Sequence, residues 1–397
     1  MKSKKLTRRG FLGSVAGAGF GSLTLSALAA RGTADAAQNL TAASHCQSAA
    51  EWKSTSDQPP RKVIVGTVMR PFWGQYPGLD HRLRVLTDLI DNMQAQSRAR
   101  YGRGVDLAVL PETSVTGEAR STGHVMESSF PLEGPVQDSF RACAREHHCY
   151  IVVPLFLIED RATKRCSNAA VLFDRQGDVA GIYRKLHLVV DDDRATLEHG
   201  CMPGTDVPVF QCDFGKLGMQ ICYDMDFDYG WHELARKGAE IVAWPTQSPQ
   251  RARPVARAID GHYFIVSSTW RTDACIFEPT GKIVSQITWK PEMGSPGDWD
   301  QATVHRPIDD NTMVEEIDLS YAILPYSGEL KNGQLFTKTF GERAGFRYYD
   351  DDDRGIFWSN DPKMTVRQMV ASLKLTEEQD ELRHDRSVYH NAGVPGY

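Results

Sequence analysis

The sequence predicts an α/β protein, and two observations carry that prediction. Apolar runs of strand length alternate with segments of helical periodicity. Two of those runs end on an ionisable or nucleophilic residue, and a third carries one within it. Asp106–Glu112 (D-L-A-V-L-P-E) ends on Glu112, Lys216–Asp224 (K-L-G-M-Q-I-C-Y-D) turns polar at Cys222, and Gly181–Leu188 (G-I-Y-R-K-L-H-L) holds Lys185 inside a half-apolar strand. The carboxyl ends of strands are where α/β sheets collect their chemistry.

The chain has 397 residues, enough for one large domain with additions. It starts with T-R-R-G-F-L-G (Thr7–Gly13) and a weakly hydrophobic stretch rich in glycine and alanine up to Ala30. Residues 1–36 are therefore expected to be a twin-arginine export signal cleaved after Ala34-Asp35-Ala36, with Ala27-Leu28-Ala29 as the second choice of site. The alternative, a membrane anchor, is disfavoured by the small residues and modest hydrophobicity. Residues 1–36 hold six basic residues and one acid, so their removal takes the net charge from −6 to about −11. An acidic chain argues against nucleic-acid and anionic-membrane partners. Residues 37–60, rich in Ser, Ala, Gln and Thr and closed by Pro59-Pro60, read as a flexible linker. The expected location is periplasmic or extracellular.

The folded domain is expected over 61–325. Lys62–Val68 reads as a buried strand, and Asp80–Arg100 as an amphipathic helix with Leu83, Leu86, Leu89, Ile90 and Met93 on one face. The strand up to Glu112 follows, where Pro111 stops the ladder. Then come a helix over Val136–His147, a strand over Tyr150–Leu157, and two strands (Asn168–Phe173 and Asp178–Tyr183) around a D-R-Q-G turn. Past Cys222 the pattern gives a helix over Gly230–Lys237, a strand over Glu240–Trp244, a helix over Pro254–Gly261 and a strand over Tyr263–Ser268. Ala274–Phe277 and Lys282–Ile287 form a hairpin around P-T-G, and Val314–Leu319 is the last strand. Trp289–Arg306 reads as a long loop, either folded over a pocket or a surface excursion. Residues 326–397 turn polar, with the acidic run Asp350–Asp353 flanked by aromatics, and read as a C-terminal extension that packs on its own chain or at a subunit interface, with a short helix over Met364–Leu375.

Each candidate residue has a plain alternative. Cys222 can be a small buried hydrophobe, Glu112 a solvated turn residue, and Lys185 a chain snorkelling from an edge strand. Taken together, Glu112 in L-P-E, Lys185 in Y-R-K-L-H-L and Cys222 in G-x-x-I-C-Y-D resemble the nitrilase (carbon–nitrogen hydrolase) superfamily in order and in surroundings. Leu197–Phe210 and the S-N-A-A-V-L-F-D-R-Q-G stretch with Asn168 and Gly177 are similar to the family as well, so the resemblance spans about Lys62 to Leu324.

The resemblance implies a four-layer α-β-β-α sandwich, usually paired through helices, and therefore a homodimer or higher homo-oligomer. It implies Cys222 as nucleophile, Glu112 as general base and Lys185 as stabiliser of the thiolate and oxyanion, with Glu198 as a second glutamate after the lysine. These roles fit the chemistry. A thiol with a pKa near 8.5 is mostly protonated at neutral pH, so a neighbouring carboxylate must take its proton, and an ammonium or the Tyr223 N–H can stabilise developing negative charge. Attack on an amide or nitrile carbon expels ammonia or an amine and leaves a thioester, which water hydrolyses.

Tyr223, Trp244 and Thr246 are expected to border the substrate cavity, although Trp244 can equally be core packing. Arg251, Arg253 and Arg257 can hold a substrate carboxylate or form a solvated helix start. The C-Y-D word resembles the amidase-like and carbamoylase-like branches, which favours an amide or N-carbamoyl substrate over a nitrile. Met225–Tyr229 departs from the proline and glutamate that many relatives carry there. The alternatives are a nitrile hydrolase, an acyltransferase on the same scaffold, and a non-catalytic exported binding protein. A thiol-redox protein is disfavoured because no resolving cysteine lies at short spacing to Cys222. Eight cysteines are scattered without C-x-x-C, and His147, His148, His187 and His199 lack metal-ligand spacing. No metal or cofactor is expected.

Overall fold

The computed structural model describes residues 55–118, 124–288 and 311–396. The expected signal, most of the expected linker and the long loop over Trp289–Arg306 lie outside them.

Alternation along the first strands sets the architecture. In β1 (Lys62–Val68), Ile64 and Val68 face one apolar cluster while Val63 and Val65 face another. In β2 (Leu107–Val109), Leu107 and Val109 point one way and Ala108 the other. A strand with apolar residues on both faces must be covered on both. The first cluster packs α1 (Leu79–Tyr101) and α2 (Pro135–His147) on the outside of the sheet. The second lies between two sheets.

The first sheet has six strands in the order β12-β1-β2-β3-β4-β5. Its other members are β3 (Tyr150–Asp160), β4 (Arg165–Phe173), β5 (Val179–Arg184) and β12 (Thr312–Asp318). The second sheet runs β11-β10-β9-β8-β7-β6. It comprises β6 (Val209–Gln211), β7 (Lys216–Met219), β8 (Ile241–Pro245), β9 (Phe264–Ser268), β10 (Asp273–Phe277) and β11 (Ile283–Thr288). Its outer face packs α3 (Asp228–Arg236) and α4 (Ala252–Gly261) through Trp231, Leu234 and Ala258. The order from outside to outside is helix, sheet, sheet, helix.

Each sheet has a parallel centre. Thr67 pairs with Val109 and Val109 with Val152 in one, and Met219 with Ala243 and Ala243 with Val266 in the other. The two centres meet where β1 and β9 end. Thr67 Oγ1 donates to the Ser267 carbonyl at 2.5 Å, and Thr269 N–H donates to the Val68 carbonyl at 2.9 Å.

The C-terminal region packs on its own chain: β13 (Tyr321–Pro325), β14 (Ala344–Tyr349) and β15 (Arg354–Ser359) form a third sheet in the order β13-β15-β14. The acidic run Asp350–Asp353 is the turn of the β14–β15 hairpin. Around it lie α5 (Gln334–Phe340), α6 (Val366–Ser372) and α7 (Glu378–Asn391). Arg347 Nη2 reaches the buried Glu278 at 2.7 Å and ties this unit to the end of β10. Residues 55–60 are docked rather than free as a linker. The Ser56 hydroxyl donates to Glu377 at 2.8 Å and the Ser320 hydroxyl to the Pro59 carbonyl at 2.6 Å.

Candidate active site

Glu112 stands where its strand must stop. Pro111 has no N–H for the ladder, and the next turn is closed by Ser114 N–H donating to the Pro111 carbonyl at 3.1 Å. Trp270 Nε1–H donates to the Glu112 carbonyl at 2.7 Å. Lys185 lies one residue past β5, not in mid-strand as expected. Its N–H still donates to the Asn168 carbonyl at 2.8 Å, and Gly204 N–H donates to the Lys185 carbonyl at 2.9 Å. Although β5 is an edge strand, the Lys185 side chain is 1% exposed and does not snorkel.

Two strand ends and the 3-10 turn Glu198–Gly200 thus converge on one buried charge cluster. Lys185 Nζ donates to Glu112 Oε1 at 2.9 Å and to Glu198 Oε1. Asn168 Nδ2 donates to the same two carboxylates, to Glu112 Oε1 at 2.9 Å and Glu198 Oε2 at 3.0 Å. Gln247 N–H donates to Glu112 Oε2 at 3.1 Å, and Val189 N–H to Glu198 Oε1 at 3.3 Å. Glu198 and His199 both hold left-handed backbone, with φ of 39° and 57°. Such strain persists where the surroundings over-determine it, and here the Lys185 and Asn168 contacts do so.

One cation compensates two carboxylates. Burial alone would lower the Lys185 pKa, but Glu112 and Glu198 more than reverse this, so the ammonium stays charged. Burial pushes the Glu198 carboxyl up; Lys185 opposes that, and the Glu112 charge adds to it. Glu198 is therefore driven toward its proton.

Cys222 follows β7 in an irregular turn. The strand ends at Met219, and Cys222 opens the 3-10 turn Cys222–Asp226 with φ of 41°, a region that costs a non-glycine residue energy. The fully buried Asp224 holds this turn. Its Oδ2 accepts from Ile221 N–H at 2.9 Å and from the Tyr183 hydroxyl at 2.7 Å. Its Oδ1 accepts from His187 N–H at 2.8 Å and lies 2.9 Å from His187 Nδ1. One carboxylate thereby ties the cysteine turn to the segment that follows Lys185. The Cys222 residue is half-buried. Burial pushes the thiol up to about 12 and Glu112 adds to this, while Lys185 opposes it. The resting group is a thiol, so its proton must leave in step with attack.

The other expected contacts separate. Trp244 is fully buried among Trp231, Met225 and Ala258, and its Nε1–H donates to the Cys222 carbonyl at 3.2 Å. That corrects its expected place at the cavity border: it supports the cysteine from behind. Thr246 is also fully buried, with its hydroxyl donating to the Ser248 carbonyl at 2.8 Å. Tyr223 is half-buried, edge-on to Phe227 at 5.3 Å, and Phe227 in turn stacks on His187 at 4.0 Å. The arginines are already paired: Arg251 with Asp273 at 2.7 Å, Arg253 with Asp226, and Arg257 with Asp228 at 2.5 Å. The departing Met225–Tyr229 segment still opens a helix, with Asp228 in the first turn of α3, where a negative charge suits the helix dipole. Asn168, Tyr183 and Trp270 join the site without having been singled out for it. A polar Asn168 inside an apolar strand was the one local signal.

Residues 72–308 match the family model described as carbon-nitrogen hydrolase. The chain is 30% identical over 159 residues to the deaminated glutathione amidase of Yersinia enterocolitica, covering 38% of this chain and 54% of that protein. To the deaminated glutathione amidase of Rattus norvegicus it is 30% identical over 182 residues, covering 42% and 55%. To a probable nitrilase of Schizosaccharomyces pombe it is 27% identical over 141 residues, covering 36% and 50%. The chain thus spans about half the length of these curated relatives. Among solved structures, the carbon-nitrogen hydrolase from Helicobacter pylori superposes with a TM-score of 0.50 at 17% identity, covering 65% of this chain and 90% of that one. The NitFhit protein of Caenorhabditis elegans gives 0.50 at 17%, covering 66% and 62%. At those identities the likeness is one of fold, and the fold is the nitrilase-type α/β sandwich. With more than half its length matched by the family model, the chain belongs to the carbon–nitrogen hydrolase family.

Proposed function

We propose that this chain is an exported thiol hydrolase that cleaves a non-peptide carbon–nitrogen bond, in an amide or N-carbamoyl group, through a thioester on Cys222. The observation that carries the reading is the buried Lys185 ammonium bridging Glu112 and Glu198 beside the Cys222 turn. In this mechanism Glu112 takes the thiol proton as the sulfur attacks the carbonyl carbon. Lys185 and the Tyr223 N–H stabilise the oxyanion. Glu112 returns the proton to the leaving nitrogen, ammonia or an amine departs, and Glu112 then activates the water that hydrolyses the thioester. Tyr223 borders the substrate. Asn168 keeps both carboxylates on the lysine.

The deaminated glutathione amidase relatives favour an amide. The test is ammonia release from aliphatic and aromatic amides, N-carbamoyl amino acids and nitriles, with Cys222→Ala alongside. Release from amides or N-carbamoyl compounds that vanishes in the variant supports the reading. Release from nitriles alone makes the chain a nitrile hydrolase, and release that survives Cys222→Ala overturns the mechanism. Export rests on Thr7–Gly13. Replacing Arg8 and Arg9 by lysine should hold the protein in the cytoplasm, and unchanged export would refute the twin-arginine route.

A further inference from the structure

Helices α1 and α2 cover the outer face of the first sheet, and their shared apolar cluster contains Cys143. Three polar groups meet where the two helices pack. Asp91 comes from the middle of α1, and Cys143 and His147 come from the end of α2. Positions 143 and 147 lie four apart, so thiol and imidazole stand on one face of the helix. No pair of histidines in the chain has that spacing, but this cysteine and histidine do.

One donor atom from each of Asp91, Cys143 and His147 lies within 4.8 Å of the other two. The three are an oxygen, a sulfur and a nitrogen. His147 Nε2 lies 2.5 Å from Asp91 Oδ1, so the carboxylate orients the ring. The other ring nitrogen, Nδ1, is buried and has no hydrogen-bond partner. A buried polar nitrogen left unsatisfied is costly and calls for a reason. The His147 side chain is 7% exposed and Cys143 is 5% exposed, whereas the Asp91 side chain is 57% exposed. The carboxylate therefore opens an otherwise buried cluster to solvent.

The donor set has a chemical preference. Thiolate, imidazole and carboxylate are together the ligands of Zn2+, which holds four donors in a tetrahedron. Its bond lengths set neighbouring donors about 3.3–3.6 Å apart. The 4.8 Å cluster closes to that spacing when the exposed Asp91 side chain turns from the ring toward a shared centre. One thiolate and one carboxylate also cancel the charge of the ion, so its burial between the helices leaves no net charge.

We infer that Asp91, Cys143 and His147 form a Zn2+ site that clasps α1 to α2, with water as the fourth ligand. On binding, the Cys143 thiol gives its proton to solvent and the thiolate, a ring nitrogen and the carboxylate bond the ion, with no change of oxidation state. The site lies outside the first sheet, whereas Cys222 follows β7 of the second, so it stands apart from the catalytic reading.

The test uses the full chain, reduced and stripped of metal by a chelator, with Cys222→Ala so that the half-buried thiol cannot contribute. Co2+ is the probe, because a thiolate ligand gives it a charge-transfer band in the near ultraviolet and tetrahedral geometry gives it intense visible bands. Equimolar Co2+ should produce both, and Zn2+ should abolish both. Zn2+ affinity is then measured by competition with a chromophoric chelator. Loss of a group that merely orients a metal ligand costs about 10–100-fold in affinity, so loss of the ligand in Cys143→Ala or His147→Gln should cost about a hundredfold or more. Asp91→Asn should weaken binding about tenfold or more. Asp91 is exposed, so unchanged far-ultraviolet dichroism of that variant separates loss of binding from loss of fold. Absence of the charge-transfer band, its survival in Cys143→Ala, or a Zn2+ affinity unmoved by Asp91→Asn overturns the site.

Discussion

Two groups of opposite charges in this molecule look alike on paper and differ in consequence. Around Lys185, one ammonium and two carboxylates lie 1–11% exposed by side chain. On α4 and its approach, Arg251 and Arg253 meet Asp273 and Asp226 while 52% and 50% exposed. Water screens the second group, and exposed pairs contribute little. It cannot screen the first, where removing one partner strands the others in low dielectric. The difference shows in Glu198: burial, with the Glu112 charge beside it, pushes this carboxyl toward its proton against the opposing Lys185 ammonium.

The largest effect is expected at the buried cation. Lys185→Met leaves Glu112 and Glu198 without their counter-charge. It should cost about 3–5 kcal/mol in chemical denaturation and lower kcat about a hundred- to a thousandfold. A loss below about 1 kcal/mol would place Lys185 with the surface pairs. Asp224→Asn should come next, because Asp224 accepts from Ile221, Tyr183 and His187 and an amide cannot serve all three. The expected cost is about 1–3 kcal/mol.

Glu198→Gln should show itself in pH dependence. The folded-state pKa of Glu198 is raised, so the folded chain binds more protons than the unfolded chain above the ordinary carboxylate range. Its contribution to stability is fully present below that range and is lost as pH rises through the folded value, at no more than about 1.4 kcal/mol per unit. Urea melts at several pH values should show this slope in the wild type and a flatter one in the variant. The smallest effect belongs to the exposed group: Arg253→Ala should change stability by no more than about 0.5 kcal/mol.

The same contrast marks what was legible in the sequence. Glu112, Lys185, Glu198 and Cys222 stand in short local words, and the alternation of Ile64 and Val68 against Val63 and Val65 already implies a sheet covered on both faces. What brings the site together is non-local. Asn168 meets Glu112 and Glu198 across 56 and 30 positions of chain, and Asp224 meets Tyr183 across 41, so no window of sequence displays either. Trp244 stood at a strand end, but its side of the strand decides its role, and that side faces α3 and α4. The β14–β15 hairpin was hidden by its acidic turn, although Phe346, Tyr348 and Phe357 around it were strand signals.

The most direct measurement is the rate at which iodoacetamide labels each cysteine in wild type and Lys185→Met, followed by mass spectrometry. Among the described residues Cys222 is half-buried and the other six cysteines are buried. The account predicts that Cys222 labels fastest in the folded wild-type protein and that Lys185→Met slows it at least tenfold while the chain remains folded. Labelling of Cys222 no faster than that of Cys143 or Cys275, or a rate unmoved by the loss of Lys185, would contradict the claim that the buried charge cluster activates this thiol.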